Sequence, residues 1–568
     1  VTKLIKYIFI LYFSFYFSVL ILIFFIPVLD ANSVIIPFAL NTFDIVQKFP
    51  EFWYNFKIFY IIFCLISMLI LINYLFSFLS FLFNSFICSK KSNKNREANI
   101  DFSASHVFIG YNLSNKPVFI PILGLYQNVL VTGSIGSGKT SSLLYPFTKQ
   151  LLSFSFNSSH KSAFLILDVK GNYYRYVKKI CFEKNKLNDL FIISLNGNVT
   201  YNPLDKPNLK PHILANRLKN ILLLFSPKQT EAFWLDEAEQ ILTEAIRLCR
   251  LYNDNYVTFI EIHKIIMSKD YYQSKVELLQ EKFYANLLSP DEIADFSFCL
   301  TFFEDEFFSL DDRTQSILKS EISRITNSFV SDSDTCRVFC PDKKNISFPG
   351  FSYILKYHKI VVLDMNLSEY SSLAKIIAAY LKLDFQSEIL SQLSKNDTIF
   401  PSCFICDEYQ EYVTSNDAAF LAQSRESKSI NILATQSYSS LLAALSDSTL
   451  TKVLLQNLVN KFWFRTDDNF TIDEIIKQLG KEEKSVLTKS ISENAQKTNY
   501  NFMFNSFSSK DSNLSESIST AYQKDFIFDS RFFSCELETF SCLAFISTGS
   551  HIIPAQKLIL TPYFKERS

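Results

Sequence analysis

The chain has 568 residues with 56 basic and 56 acidic side chains, so its net charge advertises no nucleic-acid partner, and any such contact must come from local basic patches or a ring of subunits. Hydrophobic residues make up 48% and aromatics 16%, enough for a membrane segment plus about two or three folded units. The 11 cysteines are scattered and odd in number, and the 6 histidines form no cluster, which favours buried thiols in a reducing compartment over zinc or a disulfide framework.

Tyr7 to Leu29 is 23 residues without a charge, and Ile58 to Cys88 is 31 more. Each exceeds the roughly 20 residues needed to cross a bilayer. A cleaved signal peptide is the alternative for the first, but its apolar run is too long and lacks a clear small-residue cleavage site. Lys90, Lys91, Lys94 and Arg96 follow the second stretch, whereas the loop between the two holds only Lys48 and Lys57 beside Asp30, Asp44 and Glu51. By the positive-inside rule the chain beyond residue 90 faces the cytoplasm, and Lys3 and Lys6 put the N-terminus there too. The expectation is a membrane anchor over 1–90 with two transmembrane helices, about 7–29 and 58–82, set in a lipid bilayer.

A β-like segment from about Asn99 to Leu125 leads to the apolar run Asn128–Val131 and then to GSIGSGKT, Gly133–Thr140, followed by the helix-like Ser141–Leu144. Strand, glycine loop and helix in that order make a Walker A loop, in which backbone N–H groups and the helix start converge on phosphate oxygens. Only 10 glycines occur in the chain, yet Gly133, Gly136 and Gly138 fall within six positions. Ser134, Ser137 and Ser141 complete the expected nucleotide-binding set; Lys139 would reach the β- and γ-phosphates of ATP, and the Thr140 hydroxyl would hold Mg²⁺. Pro146 should kink the helix that follows.

AFLILDVKGN, Ala163–Asn172, is an apolar strand delivering Asp168, Lys170 and Gly171 to the carboxyl edge of a parallel sheet. A second strand, Leu190–Leu195, leads into YNPLD, Tyr201–Asp205, where the alternation of strand and helix stops. From 207 to 348 the pattern is helical, with runs at Leu214–Phe225, Glu231–Leu251 and Arg313–Phe329, and reads as an all-α insertion. Strand rhythm resumes at Lys359–Asn366 and continues at FICDE, NILATQS, FWFRT and CLAFIST, so the core is α/β and is split by the insert. FICDE, Phe404–Glu408, has the form of a Walker B strand, with Asp407 for Mg²⁺ and Glu408 to orient or deprotonate the attacking water. Cys403 and Cys406 make a CxxC inside that strand with no second pair at metal spacing, so they are expected as buried thiols. NILATQS places Gln436 at the end of the next strand, where an amide could sense the γ-phosphate.

GSIGSGKT, the Asp168, Lys170, Gly171 group, NPL (Asn202–Leu204), the Phe233, Trp234 pair, CDE, SRE (Ser424–Glu426) and ATQS follow one another in an order that resembles the type IV secretion coupling proteins of the TraG/TraD kind. The resemblance covers nearly the whole chain, membrane segments included. It implies a RecA-like P-loop ATPase domain over 99–206 and 349–568, an all-α domain over 207–348, and a homo-hexamer at the bacterial inner membrane. Such proteins deliver relaxase-bound single-stranded DNA, protein effectors or both to a secretion channel. The resemblance further implies Lys139 and Thr140 for nucleotide and Mg²⁺, Asp407 and Glu408 for hydrolysis, Gln436 for coupling, and Arg425 as a finger entering the neighbouring subunit's site.

Asn172 departs from the family's DxKGE, which puts a carboxylate role there in doubt. Residues 492–520, rich in Ser, Asn and Lys, read as a flexible insertion before a last strand-bearing segment, Phe526–Leu560. No long acidic tail follows, so the acidic Glu304, Asp305, Glu306, Asp311 and Asp312 of the helical insert are the candidate face for a basic partner. Two other functions fit the same motifs: an FtsK/HerA-like translocase on duplex DNA, which the large helical insert disfavours, and a receptor that docks cargo and uses ATP only to assemble. No LSGGQ-like signature supports an ABC transporter.

Overall fold

The computed structural model describes residues 106–565 apart from 157–160, 226–231, 395–397, 494–498, 502–505 and 509–513, together with Glu51 and Asn55. Both expected membrane spans lie outside those residues, and among the described residues no helix is long and apolar enough to cross a membrane.

The strands are β1 (His106–Asn112), β2 (Pro117–Pro121), β3 (Val129–Thr132), β4 (Ala163–Leu167), β5 (Leu190–Ile193), β6 (Ile360–Leu363), β7 (Ser402–Cys406), β8 (Ser429–Thr435), β9 (Asn460–Trp463), β10 (Lys481–Glu493), β11 (Asn499–Asn501), β12 (Ser506–Ser508), β13 (Leu514–Phe526), β14 (Ser541–Ser547) and β15 (Ile552–Ile559). One 11-stranded sheet runs in the order β2-β1-β15-β14-β9-β3-β8-β7-β4-β6-β5. Every pairing from β5 across to β9 is parallel. Strands β3, β4, β6, β7, β8 and β9 are buried at every residue, the mark of a parallel sheet covered on both faces. The period of two still sorts their side chains: Leu130 and Leu165 join the core on one face, while Val129, Val131, Phe164 and Ile166 join the core on the other. From β9 the sheet continues through β14, β15, β1 and β2 with antiparallel pairings. The turn between β14 and β15 is too short for a crossover, so the CLAFIST strand extends the core as a hairpin.

Helices α1 (Tyr145–Phe156) and α2 (Tyr173–Glu183) cover one face through Phe147, Leu151, Leu152, Val177 and Ile180. Between β5 and β6 lie α3 (Pro211–Leu223), α4 (Ala232–Tyr252), α5 (Phe259–Met267), α6 (Lys269–Tyr284), α7 (Pro290–Leu300), a π-helical turn at Thr301–Phe307, α8 (Asp312–Val330) and α9 (Ser333–Phe339). Polar residues between the apolar runs cap several of these helices. Thr258, Ser268, Ser289, Asp311 and Asp332 each accept a first-turn N–H, and Ser289 with Glu292 closes a capping box. Asp311 of the acidic face is thus occupied as a cap, while Glu304, Asp305, Glu306 and Asp312 are exposed.

Then come α10 (Phe351–Lys356), α11 (Leu367–Ser394), α12 (Asp417–Gln423), α13 (Tyr438–Leu445), α14 (Ser448–Asn457) and α15 (Asn469–Leu479). Helix α11 carries one non-helical residue, Ser371 at φ 42° and ψ −117°. A single buried cluster runs from Leu130, Leu165 and Ile193 of the sheet through α11 into α3, α4, α5 and α8, so the helical layer shares the core of its face of the sheet.

Part of the stretch read as flexible has regular pairing: β10 pairs with β13 antiparallel from Lys481↔Phe526 to Glu493↔Leu514, and β11 pairs with β12. This ribbon is a sheet of two strands apart from the main one, so no apolar alternation was imposed on it and none announced it.

Asn128, in the left-handed region at φ 61°, organises the edge of the sheet opposite the glycine loop. Its Nδ2 donates to the carbonyls of Leu421 (3.0 Å) and Asn457 (2.9 Å), and its Oδ1 accepts from Ser424 Oγ (3.0 Å) and Asn431 Nδ2 (2.7 Å). Ser424 of the SRE motif is therefore a packing residue. Asn128→Ala leaves those buried groups without partners and puts a Cβ-only residue in the left-handed region; it is expected to cost about 3 kcal/mol or more, read from the denaturant midpoint.

Candidate active site

The loops after β3, β4, β7, β8 and β9 all leave one edge of the sheet, since Thr132 lies opposite Thr435 and Trp463, and Leu167 opposite Cys406. A cleft of about 200 Å³ opens there, lined by Ser134–Ser141, Lys170 and Glu408. The glycines fit their places for different reasons. Gly136 (φ 77°) and Gly138 (φ 100°) occupy backbone that side chains resist. A Cβ on Gly138 would come within 2.6 Å of the Phe540 ring, and one on Gly133 within 2.5 Å of Phe464 Cβ. The loop is held from outside by Ser134, whose N–H and hydroxyl donate to Arg465 O at 2.8 and 3.0 Å. The C-terminal stretch covers it as well, with Phe540 N–H donating to Ser137 O at 3.2 Å and Tyr563 packed edge-on against Tyr145, centroids 5.0 Å apart.

A π-helical turn, Thr140–Leu144, leads into α1, whose second residue is Pro146, so the irregularity expected of a residue without an N–H takes the form of a widened turn just before it.

Lys139 is buried and folds back on its own loop, donating to Gly133 O (2.5 Å) and Ser134 O (3.3 Å). Burial pushes its ammonium down, opposed by Glu408 and Asp407. Among the described residues the Gly136 and Gly138 N–H groups find no acceptor. Two unpartnered donors beside a buried cation suit a phosphate, so the residues present fit a nucleotide. Thr140 Oγ1 donates to Asp407 Oδ2 at 2.8 Å, which brings the two expected Mg²⁺ ligands together. Burial raises Asp407 to about 6, with the Thr140 hydrogen bond opposing and Asp168 and Glu408 adding to the rise.

Glu408 adopts the left-handed conformation at φ 51°, which turns the chain sharply off the end of β7. Its carboxylate accepts from Gln410 Nε2 at 2.7 Å, and Gln410 Oε1 in turn accepts from Thr435 Oγ1 at 2.9 Å. Gln410 thus links the carboxylate to the end of β8; a polar residue two places beyond CDE gave no signal of this. Asp168 serves the turn, not the cleft: its two oxygens accept from the N–H groups of Lys170 (3.1 Å), Asn172 (3.0 Å) and Tyr173 (3.2 Å). Gly171 is required where two loops meet, a Cβ there lying 2.7 Å from Asn366 N. Cys403 and Cys406 are buried free thiols, as their apolar strand predicts.

Gln436 is the first residue past β8, half-buried on the cleft edge but not among the lining residues. Arg425 is exposed on the turn before β8, at the opposite edge of the sheet, so this chain does not bring it to its own cleft.

A family model described as the TraM recognition site of TraD and TraG matches residues 401–522. Among solved structures, the unbound monoclinic form of the bacterial conjugative coupling protein TrwBdeltaN70 is similar at a TM-score of 0.52 and 11% identity, over 80% of this chain and 88% of that one. The TrwB complex with the non-hydrolysable GTP analogue GDPNP gives 0.53 and 11%, over 80% and 89%. The TrwB complex with ADP and Mg²⁺ gives 0.52 and 13%, over the same shares. At these identities the likeness is one of fold. No curated protein matches the chain. The matched segment 401–522 and the shared fold thus make the chain similar, in that segment and in its architecture, to the TraG/TraD-like coupling proteins that its motifs resemble.

Proposed function

We propose that this protein is a membrane-anchored ATPase that couples single-stranded DNA with its relaxase, protein effectors, or both, to a type IV secretion channel and drives their transfer by ATP hydrolysis. The observation that carries the reading is the convergence of the glycine loop, Lys139, Thr140, Asp407 and Glu408 at one edge of a parallel sheet. TrwB, similar in fold, has been crystallised with ADP and Mg²⁺ and with analogues of ATP and GTP, which supports a nucleotide in this cleft. The TraM recognition site named for TraD and TraG supports a relaxosome partner on residues 401–522.

In this reading the loop N–H groups and Lys139 bind the phosphates, Lys139 leaving the carbonyls it now caps. Thr140 and Asp407 hold Mg²⁺, which neutralises charge on the phosphates when bound. Glu408, steadied by Gln410, orients and deprotonates the attacking water. Gln436 senses the γ-phosphate from the end of β8. Arg425, remote from its own cleft, acts in a neighbour's, which calls for a closed ring of subunits, and the family resemblance implies six of them.

The test is ATP hydrolysis by the whole chain with and without single-stranded or duplex DNA. Stimulation of about tenfold or more by single strands is the expected result. Preference for duplex would move the reading to an FtsK/HerA-like translocase, and nucleotide binding without a DNA response would move it to a docking receptor.

A further inference from the structure

The turn that carries Glu408 is anchored from behind by a buried cluster of charges. Beyond Glu408 the chain makes a 3₁₀ turn, Tyr409–Glu411, and runs to Asp417 at the start of α12. Lys382 of α11 lies 2.5 Å from Asp417 Oδ2 and also donates to Tyr412 O (2.6 Å) and Thr414 Oγ1 (3.1 Å). Tyr409 OH donates to the same carboxylate at 2.6 Å, the Thr414 N–H at 2.8 Å, and Gln386, one turn along α11, at 2.9 Å. The Lys382 and Asp417 side chains expose 0% of their surface. Among the described residues, all the hydrogen bonds of the Lys382 ammonium reach the segment that leaves Glu408.

Two residues on, Asp384 points the other way, because residues two apart on a helix diverge by about 200°. It pairs with Lys206 Nζ at 2.7 Å and Arg217 Nη1 at 3.1 Å, and accepts from Tyr201 OH at 3.2 Å. Tyr201 and Lys206 flank the NPL loop, and Arg217 lies on α3, the first helix of the helical layer. One rigid stretch of α11 therefore holds the Glu408 turn with one side chain and the helical layer with the next but one. Buried ion pairs seldom improve on apolar packing, so stability alone gives little reason for two of them back to back.

We propose that Lys382 is a positioning residue for Glu408, and that α11, through the Lys382–Asp417 and Asp384–Arg217 pairs, transmits the placement of the helical layer to the hydrolytic carboxylate. The proposal rests on the reading of Glu408 given above. It makes the helical layer a regulator of turnover: a partner that shifts α3 alters kcat and leaves nucleotide affinity unchanged.

Arg217→Gln in the whole chain is the discriminating variant, because among the described residues the Arg217 guanidinium pairs with Asp384 and Lys206 keeps Asp384 paired. Asn220→Ala is its control, since α3 also meets the segment directly where Ser415 Oγ donates to Asn220 Oδ1 at 3.2 Å, and that variant is expected to leave kcat and 409–414 exchange near the parent's. The double variant Lys382→Met/Asp417→Leu removes both charges of the other pair together and leaves neither orphaned. For each, the measurements are the dissociation constant of a fluorescent ATP analogue, kcat per bound site, and amide hydrogen exchange of 409–414. Expected are a dissociation constant within about threefold of the parent, a kcat lower by about tenfold in the double variant and about threefold in Arg217→Gln, and faster exchange of 409–414 in both. A lowered unfolding midpoint in both variants with kcat and 409–414 exchange unchanged would mean that the pairs are only structural and would overturn the proposal. Should the parent bind nucleotide without hydrolysing it, the ATPase reading fails by itself, and exchange of 409–414 in Arg217→Gln still decides the coupling.

Discussion

Glu408→Gln is expected to lower kcat for ATP by about 100-fold or more while nucleotide binding stays within a few-fold of the parent. The amide keeps the size of the carboxylate and can still meet Gln410, so the turn at φ 51° has no reason to rearrange. What it lacks is basicity, and only the step in which water loses its proton needs that. Lys139→Ala is the complementary case. It removes the cation that sits among the loop carbonyls at 2.5 and 3.3 Å, and phosphate binding falls with it. Equilibrium binding of a fluorescent nucleotide beside single-turnover hydrolysis separates the two: loss of binding in Glu408→Gln, or retention of both binding and turnover in Lys139→Ala, would contradict the roles assigned.

Asp407→Asn should make the nucleotide-free, metal-free protein more stable at pH 8 and progressively less so as the pH falls. Burial raises the folded carboxyl to about 6, above its usual unfolded value, so the folded state binds a proton more readily than the unfolded one. Ionising Asp407 therefore opposes folding, with the full cost above the folded value and none below the unfolded value of about 4. The window is about pH 4–6, and two units correspond to roughly 3 kcal/mol. The amide keeps an acceptor for Thr140 Oγ1 and carries no charge at any pH. Denaturant midpoints in chelator from pH 4 to pH 8 test this; an advantage equal at both ends would show that ionisation is not its source. Added Mg²⁺ and nucleotide should stabilise the parent and leave the variant nearly unmoved, reversing the order.

The sequence made most of the parallel core readable because fully buried strands are written as unbroken apolar runs, as at Ala163–Leu167 and Ser402–Cys406. It made the helical layer readable because its caps are polar residues at fixed offsets. The site was legible where backbone chemistry restricts residue type, as in the glycines and the Thr140 and Asp407 pair. It was illegible where a side chain works through tertiary contact. Gln410, Lys382 and Asp417 are ordinary residues in ordinary-looking helices and turns, and only the packing of α11 on the segment behind β7 brings Lys382 and Asp417 together. Asp168 was placed at the right edge of the sheet, but its task was not legible for a related reason: a carboxylate at a strand end can serve a ligand or its own turn, and spacing alone does not separate the two.

The sheet joins the two ends of the described chain. Strand β1 meets β15, with Tyr111 opposite Ile559 and Asn112 opposite Leu558, while Phe540 and Tyr563 close over the glycine loop and the helix behind it. During synthesis the glycine loop leaves the ribosome some four hundred residues before the segment that covers it, so a partly made chain holds the Walker A residues without their lid. The cover of the loop is thus supplied by a segment made long after it, and a chain clipped before Phe540 would keep the Walker A residues with their loop uncovered.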